Sequence, residues 1–292
     1  MSFILKYLNR LFGITKINND IKTLKLLLGK NLVSDINAKN SFKLNDNEFK
    51  IFSQFGEDGI IQFLINKTKT QKKNFIEFGV ENYEEANTRF LLENNNWSGL
   101  VLDSDENHIN YIKKQDYYWR YNLRAKKCFI TKNNIDEVIK KSSLSDSLGL
   151  LSIDVDGNDY WIWEAINSCN PDIVIIEYNA RFGAKRSVTI PYEEKFNRNM
   201  NTKSKICYGA SLSALFKLGQ KKGYDLVGTN QNGNNAFFVR KQIVIDRNLE
   251  KFTPEECFHY NSFSEIIDKN GNIVKNTESE KEILDKIDLV EI

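Results

Sequence analysis

Two apolar segments that each lead into an acidic residue constrain the fold of this chain most strongly. Residues 74–78 form a strand-like run that contains Glu77, and Gly79 follows directly. A helix-compatible run comes next, and residues 99–103 form a second apolar strand that ends in Asp103. This alternation is typical of an α/β sheet with a nucleoside pocket at the carboxyl ends of its strands. Gly79 allows close backbone approach to a ligand, and Asp103, roughly 20 residues further on, can accept hydrogen bonds from two ribose hydroxyls.

The turn after the first strand lacks a complete glycine-rich phosphate loop. Glu81 stands where a second glycine would lie. Its carboxylate would repel the pyrophosphate of a dinucleotide, whereas a cationic or zwitterionic ligand such as S-adenosylmethionine is tolerated. The sequence therefore favours this second kind of ligand.

Strand and helix patterns alternate through the middle of the chain. Apolar runs predict strands at 75–78, 100–103, 127–131, 148–154 and 172–177. Helical spacing of apolar residues predicts helices at 60–65, 84–94, 106–114, 135–141 and 160–167. Such an order predicts a parallel sheet with helices on both faces and right-handed crossovers.

A different pattern closes this region. A helix over 212–222 is followed by strands at 224–228 and 236–240, with Asn232-Gly233 as the turn signal between them. We therefore predict a mostly parallel sheet of seven strands that ends in an antiparallel hairpin.

Charge divides the chain into three parts. The 292 residues carry a net charge of only +2, which argues against a dedicated nucleic-acid binder. Residues 1–45 hold eight basic and two acidic residues, whereas residues 249–292 hold eleven acidic and five basic residues. We expect a helical basic arm at 1–48, a Rossmann-like domain at 49–241 with an acceptor-side insertion at 181–206, and an acidic extension at 242–292.

The basic arm has apolar residues at helical spacing in segments 3–12 and 18–32. Its apolar face can pack on its own domain, pack on a second subunit of a homodimer, or contact an anionic membrane peripherally. No apolar run is long enough to span a bilayer, and from residues 1–13 we expect no secretory signal. Four dispersed cysteines without a C-x-x-C pair are typical of reduced thiols, so we expect a cytoplasmic protein.

Over residues 50–240, the chain resembles the class I S-adenosylmethionine-dependent methyltransferases, and within them the FkbM-like group. The matching segments are Ser53-Gln-Phe-Gly-Glu-Asp58, Phe75-Ile-Glu-Phe-Gly79, Asn87-Thr-Arg-Phe-Leu91, Gly99-Leu-Val-Leu-Asp103, Leu151-Ser-Ile-Asp-Val-Asp-Gly157 and Ile175-Ile-Glu-Tyr-Asn179. The resemblance implies a Rossmann-like methyltransferase sheet with S-adenosylmethionine as the cofactor.

The resemblance also implies the residues of a cofactor site. Glu77 would bind the methionine amino group, Gly79 would allow close approach, and Asp103 would hold the ribose. The other implied cofactor residues are Gln54 and Asp58 at the carboxylate end, Asn87 and Thr88 in the turn, Ser104, Thr131 near the adenine, and Asp154.

Acidic residues also follow the fourth and fifth predicted strands. Asp154 and Asp156 end one strand, and Glu177 and Asn179 end the next. These oxygen ligands suit Mg²⁺ or Mn²⁺, in a position that is similar to the cation site of metal-dependent O-methyltransferases. Two alternatives remain: Asp154 or Asp156 acts as a metal-free general base, or these acids cap a helix and form a turn.

The insertion that follows the fifth strand is basic and aromatic. Guanidinium groups beside aromatic rings can hold a phosphate and a sugar, and we expect Arg181 and Tyr208, with Glu81 and Asn179, to contact the acceptor. The alternative is an exposed, solvated loop.

These patterns, together with what the resemblance implies, predict a cytoplasmic S-adenosylmethionine-dependent O-methyltransferase. Its acceptor would be a hydroxyl of a saccharide or of a phosphorylated or nucleotide-linked small molecule, in surface-polysaccharide biosynthesis. The alternatives are an NAD-dependent sugar-modifying enzyme and a non-catalytic binding protein that retains the fold.

Overall fold

A central sheet organises the part of the chain that this computed structural model describes, which is residues 13–39, 41, 43–196, 198, 206–261, 284 and 287–292. Its strands, with one separate pair, are β1 (Asn74–Phe78), β2 (Ser98–Asp103), β3 (Leu123–Lys127), β4 (Leu150–Ile153), β5 (Ile173–Glu177), β6 (Val188–Thr189), β7 (Tyr224–Thr229), β8 (Asn235–Arg240) and β9 (Val290–Glu291). The α-helices are α1 (Ile14–Ala38), α2 (Glu57–Thr68), α3 (Arg89–Asn95), α4 (Glu106–Lys113), α5 (Asp116–Arg120), α6 (Ile135–Lys141), α7 (Asp159–Ala165), α8 (Leu212–Lys222), α9 (Lys241–Arg247) and α10 (Pro254–Cys257).

Seven of these strands form one sheet in the order β3-β2-β1-β4-β5-β8-β7. All neighbours are parallel except β8, which is antiparallel to both β5 and β7. The predicted α/β class, with a mostly parallel Rossmann-like sheet closed by an antiparallel hairpin, is confirmed. In this topology the carboxyl ends of β1, β2, β4 and β5 lie along one edge, where open α/β sheets bind their ligands.

Helices cover both faces of the sheet. On one face, strand residues such as Ile76 and Leu151 pack against Ile139 of α6 and Trp163 of α7. On the other face, neighbouring strand residues such as Phe75 pack against α2, α3 and α4. Because both faces are buried, the central strands are almost continuously apolar, as the sequence of 173–177 predicted.

Two predicted elements were misplaced, and one short helix was missed. The third strand lies at 123–127 rather than 127–131, because β3 is an edge strand with only alternate side chains, Leu123 and Ala125, buried. The helix after β1 begins at Arg89 rather than at 84, because residues 79–88 form a loop. The short helix α5 was not predicted at all.

The basic arm contains the predicted helix 18–32 as part of the longer α1. Gly29 lets this helix approach the domain closely, since a Cβ atom there would lie 2.6 Å from the ring of Phe90. The predicted helix 3–12 lies outside the described residues. None of the helices that the structure describes is long and apolar enough to cross a membrane.

The described end of the acidic extension returns to the insertion. In antiparallel pairing, β9 bonds to β6, with Val188 opposite Glu291. In the chain between β8 and β9, α9 and α10 pack beside the closing hairpin. The residues that follow α10 also contact this hairpin, since Thr229 Oγ1 lies 2.9 Å from His259 Nδ1. The extension and the insertion are therefore joined near the carboxyl edge of β5.

Candidate active site

A cleft opens at the carboxyl edge of the sheet, above β1, β2 and β4. Its volume is about 250 Å³. The residues that line it are Gly79, Glu81, Leu102, Asp103, Ser104, Cys128, Phe129, Ile130, Asp154, Val155, Asp156, Asn158, Glu194, Phe196 and Arg198. Of the predicted site residues, it brings together Gly79, Glu81, Asp103, Ser104, Asp154 and Asp156.

Glu77 does not line this cleft. Its buried carboxylate accepts hydrogen bonds from the backbone N–H groups of Asn87 at 2.8 Å and Thr88 at 3.1 Å, and from the hydroxyl of Thr88. Burial raises the pKa of Glu77 to about 7, and the hydrogen bonds from Thr88 and Asn87 partly offset this effect. The carboxylate thus fixes the loop that leads into α3. Glu77, Asn87 and Thr88, three of the predicted cofactor residues, are hydrogen-bonded to one another and do not line the cleft.

Gly79 brings the β1 loop against the β4 loop. Its φ is +68°, and a Cβ atom there would lie 1.7 Å from the backbone oxygen of Asp154. The sequence predicted that the backbone at Gly79 lies close to a ligand. In the structure it lies close to the carbonyl group of Asp154, in the wall of the cleft.

Asp103 ties the tip of β2 to the loop after β1. Its Oδ2 atom accepts the backbone N–H of Glu81 at 2.8 Å, while Oδ1 accepts the N–H of Asp105 at 2.8 Å and lies 3.1 Å from Nδ1 of His108. A carboxylate offers about four acceptor positions, so roughly one remains for a ligand hydroxyl. Asp103 as a whole residue is 8% exposed and lines the cleft.

Three carboxylates converge where β4 and β5 end. Asp154, Asp159 and Glu177 each offer one oxygen atom, and these atoms lie within 4.8 Å of one another. Burial, reinforced by the mutual repulsion of the acids, raises the pKa values of Asp154 and Glu177 well above their ordinary range. The Oε2 atom of Glu177, a residue only 8% exposed, has no hydrogen-bond partner among the described residues.

Asp159 was not among the predicted site residues. It lies at the start of α7, where its carboxylate accepts the N–H groups of Val155 at 2.9 Å and Gly157 at 3.0 Å. Burial raises its pKa to about 6. The signal in the sequence was the position of Asp159, five residues after Asp154. A tight turn between the two residues returns the side chain of Asp159 to the end of β4.

Two of the predicted metal ligands lie outside this cluster. Asp156 is exposed, and one of its oxygens lies 3.4 Å from Nη1 of Arg198. Asn179 is buried, with Nδ2 donating to the carbonyls of Ile206 at 2.8 Å and Tyr208 at 3.0 Å. Its Oδ1 also accepts a backbone N–H, from residue 181, so this side chain holds the insertion against β5.

Gln54 and Asp58 do not line the cleft either. Asp58 is buried, and its Oδ2 atom accepts the backbone N–H groups of Ile51, Phe52 and Ser53 at 2.6 to 2.8 Å. Gln54 is exposed and accepts a hydrogen bond from the closing hairpin. Asp58 therefore shapes the loop before α2.

The predicted adenine side is bordered by Cys128, Phe129 and Ile130, whereas Thr131 does not line the cleft. Thr131 instead donates its backbone N–H to Asn134 Oδ1 at 2.9 Å. The ring of Phe129 is 50% exposed at the cleft, although the sequence analysis did not single it out. An exposed aromatic ring at this position offers a flat surface to a base.

The insertion contributes Phe196 and Arg198, which the sequence analysis also did not single out. The guanidinium carbon of Arg198 lies 3.6 Å from the centre of the Tyr208 ring. Neither Tyr208 nor Arg181 lines the cleft, and both are buried beside it. The described part of the insertion therefore brings the guanidinium group of Arg198 to the cleft.

The chain matches no family model and no curated protein sequence. Among solved structures, it is similar to the N-terminal domain of EvdMO1 with SAH bound, at 10% identity over 72% of this chain and 94% of that chain, with a TM-score of 0.42. It is similar to the O-methyltransferase from Bacillus cereus in complex with SAH, at 12% identity over 73% and 88% of the two chains, with a TM-score of 0.42. It is also similar to an S-adenosylmethionine-dependent methyltransferase from Clostridium acetobutylicum, at 10% identity over 70% and 94%, with a TM-score of 0.37. These similarities are too distant to establish an activity, and the fold assignment stands on the strand order of the sheet.

Proposed function

We propose that this protein is an S-adenosylmethionine-dependent O-methyltransferase of the FkbM-like kind. The observation that carries the proposal is one cleft bounded by the Asp103 tip of β2 on one side and by the β4 carboxylate Asp154 on the other. The cleft lies at the carboxyl edge of the seven-stranded sheet. In this sheet the antiparallel strand β8 lies between β5 and β7. This edge is where open α/β sheets bind nucleoside ligands.

The charge of the cleft supports a cationic cofactor. Glu81 and Asp103 line it, and acidic side chains attract a sulfonium group whereas they repel a pyrophosphate. The NAD-dependent alternative is therefore less well supported. The remaining acceptor position of Asp103 suits a ribose hydroxyl, and the exposed ring of Phe129 suits a base.

When bound, S-adenosylmethionine supplies an electrophilic methyl group. The task of the protein is then to hold an acceptor hydroxyl in line with that group, since positioning contributes much of the rate in such transfers. Asp154 borders the cleft, and its raised pKa suits it to take a proton from the acceptor oxygen. Glu177 and Asp159 would stabilise or share that proton.

The same three carboxylates fit a divalent cation. Their oxygen atoms lie within 4.8 Å of one another, and hard oxygen ligands suit Mg²⁺ or Mn²⁺. The Oε2 atom of Glu177, which has no hydrogen-bond partner in the described part of the chain, is a further feature that a cation would satisfy. A bound cation would hold the acceptor and lower the pKa of its hydroxyl. A metal-free general base is the alternative.

The acceptor class follows from the insertion. Arg198 lines the cleft, and a guanidinium group suits a phosphate or the hydroxyls of a sugar. We therefore propose a saccharide or a phosphorylated or nucleotide-linked small molecule as the acceptor, in surface-polysaccharide biosynthesis.

Calorimetric titration with S-adenosylhomocysteine tests the cofactor assignment. We expect saturable binding by the wild-type chain and a loss of about tenfold or more in Asp103→Ala, because the ribose contact and the loop contact are both removed. Glu106→Ala, which removes an exposed carboxylate close by, should bind like the wild type. Absence of binding at millimolar ligand would contradict the proposal, and binding of NADH instead would favour the dehydrogenase alternative.

A further inference from the structure

The hydrogen bonds that the protein donates to the carboxylate of Asp103 are divided unequally between its two oxygen atoms. Oδ1 accepts the backbone N–H of Asp105 at 2.8 Å and lies 3.1 Å from Nδ1 of His108. Among the described residues, Oδ2 accepts only the backbone N–H of Glu81, at 2.8 Å. Each oxygen of a carboxylate has about two acceptor positions. Both positions of Oδ1 are therefore used by the protein, and Oδ2 keeps one for a ligand.

The side chain of His108 is the donor in its contact with Asp103. A carboxylate only accepts hydrogen bonds, so Nδ1 of the imidazole ring carries the proton that lies between the two side chains. The side chain of His108 is 36% exposed, whereas that of Asp103 is 9% exposed. Asp103 lines the cleft and His108 does not. The imidazole ring therefore contacts the carboxylate without contacting the space that a ligand would fill.

Helix α4 holds His108 in this position. Its N-cap residue, Asp105, accepts the backbone N–H of Asn107 at 2.7 Å, and Ile109 and Ile112 anchor the helix because both are fully buried. Side chains in a helix incline towards its N-terminus, so a residue in the first turn can reach back to the tip of β2. Both donors to Oδ1 therefore come from the anchored start of one helix.

We infer that His108 is a positioning residue for the cofactor, and that Asp103 holds one ribose hydroxyl rather than the two that the sequence predicted. His108 and the backbone of Asp105 occupy Oδ1, so the free position of Oδ2 is the one that meets the ligand. Without His108, the carboxylate could turn about its terminal bond, whose torsion is only weakly restricted, and offer both oxygens to the ribose. His108 thereby selects the hydroxyl that is recognised. This inference rests on the proposed binding of S-adenosylmethionine.

Calorimetric titration with the 2′-deoxy and 3′-deoxy forms of S-adenosylhomocysteine tests the single contact. Removal of the hydroxyl that Oδ2 accepts should weaken binding about tenfold, whereas removal of the other should weaken it about twofold or less. In Asp103→Ala, the two deoxy ligands should bind within about twofold of each other, because the discriminating contact is absent. Equal weakening by both deletions in the wild type would overturn the inference.

Variants of His108 test its part in this discrimination. His108→Ala should reduce the ratio of the two dissociation constants about threefold or more, because Oδ1 is released. His108→Asn should keep the wild-type ratio, since its amide nitrogen takes the place of Nδ1 and donates in the same way. His108→Gln, whose amide nitrogen matches the position of Nε2 instead, should behave like His108→Ala. The control Asn110→Ala, at an exposed position on α4, should bind both ligands like the wild type.

The outcomes separate this inference from the proposed function. Melting temperatures show that each variant is folded before its affinities are compared. A contact that only stabilises the fold would leave the ratio unchanged in both His108→Ala and His108→Gln, and this result would overturn the role of His108 while cofactor binding stands. A wild type that binds no S-adenosylhomocysteine at millimolar ligand would overturn the proposed function and this inference together.

Discussion

The Oε2 atom of Glu77 accepts hydrogen bonds from both the backbone N–H and the hydroxyl of Thr88. This pair fixes the loop between β1 and α3, whose N–H group at Glu81 then reaches the carboxylate of Asp103. The acid at the tip of β1 therefore acts on the cleft through the loop that it holds, while the acid at the tip of β2 lines the cleft directly.

The first prediction concerns Glu77→Gln. The two carboxylate oxygens of Glu77 accept the backbone N–H groups of Asn87 and Thr88. Glutamine has only one acceptor oxygen, so its NH₂ group would face one of these N–H donors and leave that donor without an acceptor. We expect a loss of about 1–3 kcal/mol in the free energy of unfolding, as for a buried donor left unsatisfied. Urea denaturation measures this loss, and Glu85→Gln, at an exposed position on the same loop, should change stability by less than about 0.5 kcal/mol. Equal stability of the two variants would contradict the role of Glu77.

The second prediction concerns the contact between the β1 and β4 loops. Gly79→Ala places a Cβ atom 1.7 Å from the carbonyl oxygen of Asp154, so the loops must separate. We expect a destabilisation of about 2 kcal/mol or more, from positive φ and overpacking together. Gly223→Ala has a φ of +85° but no atom within 4 Å of the new Cβ, so it isolates the backbone contribution. A melting temperature equally low in both variants would argue against the loop contact.

The third prediction is a pH dependence due to Asp58. Burial raises its pKa from 3.8 to about 6 in the folded protein, so the folded state holds this proton more tightly than the unfolded state. Its contribution to stability therefore falls as the pH rises from about 4 to about 6 and is constant above that range. Asp58→Asn keeps an acceptor for the N–H groups of 51–53 but has no carboxyl group to titrate. The free energy of unfolding of the wild type should fall by on the order of 2 to 3 kcal/mol over this pH range, and this fall should be absent in the variant. Urea denaturation curves at several pH values measure the free energy of unfolding of both proteins. Parallel pH profiles for the wild type and the variant would contradict the role of Asp58.

The fourth prediction separates the carboxylates of the candidate cation site. If Mn²⁺ binds, Glu177→Gln should weaken binding by about tenfold or more, because the variant loses a charged ligand in the cluster. Asp156→Asn should have a much smaller effect, since Asp156 is exposed and lies beside Arg198. Calorimetric titration with Mn²⁺ distinguishes the two variants. A larger effect of Asp156→Asn would favour the ligand set that the sequence predicted.

The sheet could be predicted well from the sequence because its central strands are buried on both faces. Residues 173–177 are almost wholly apolar, and the predicted strand there is within one residue of β5. The edge strand β3 was misplaced because Leu-Arg-Ala-Lys-Lys buries only two side chains, and its lysines conceal the pattern.

The candidate site could be predicted only in part, because loop conformation decides where a strand-tip acid points. Glu77 and Asp103 look alike in the sequence, but the loop at 79–88 encloses the first carboxylate and leaves the second in the cleft. Asp159 joins Asp154 because a tight turn reverses the chain after β4. The placement of Arg198 depends on how the insertion folds back, which no local pattern specifies.

The central claim is that S-adenosylmethionine binds in the cleft against Asp103. A crystal structure of the chain with S-adenosylhomocysteine and Mn²⁺ tests it most directly. We predict a ribose hydroxyl within hydrogen-bond distance of the Asp103 carboxylate, with the sulfur directed towards Asp154. Ligand density outside the cleft, or a cleft that stays empty at saturating ligand, would contradict the account.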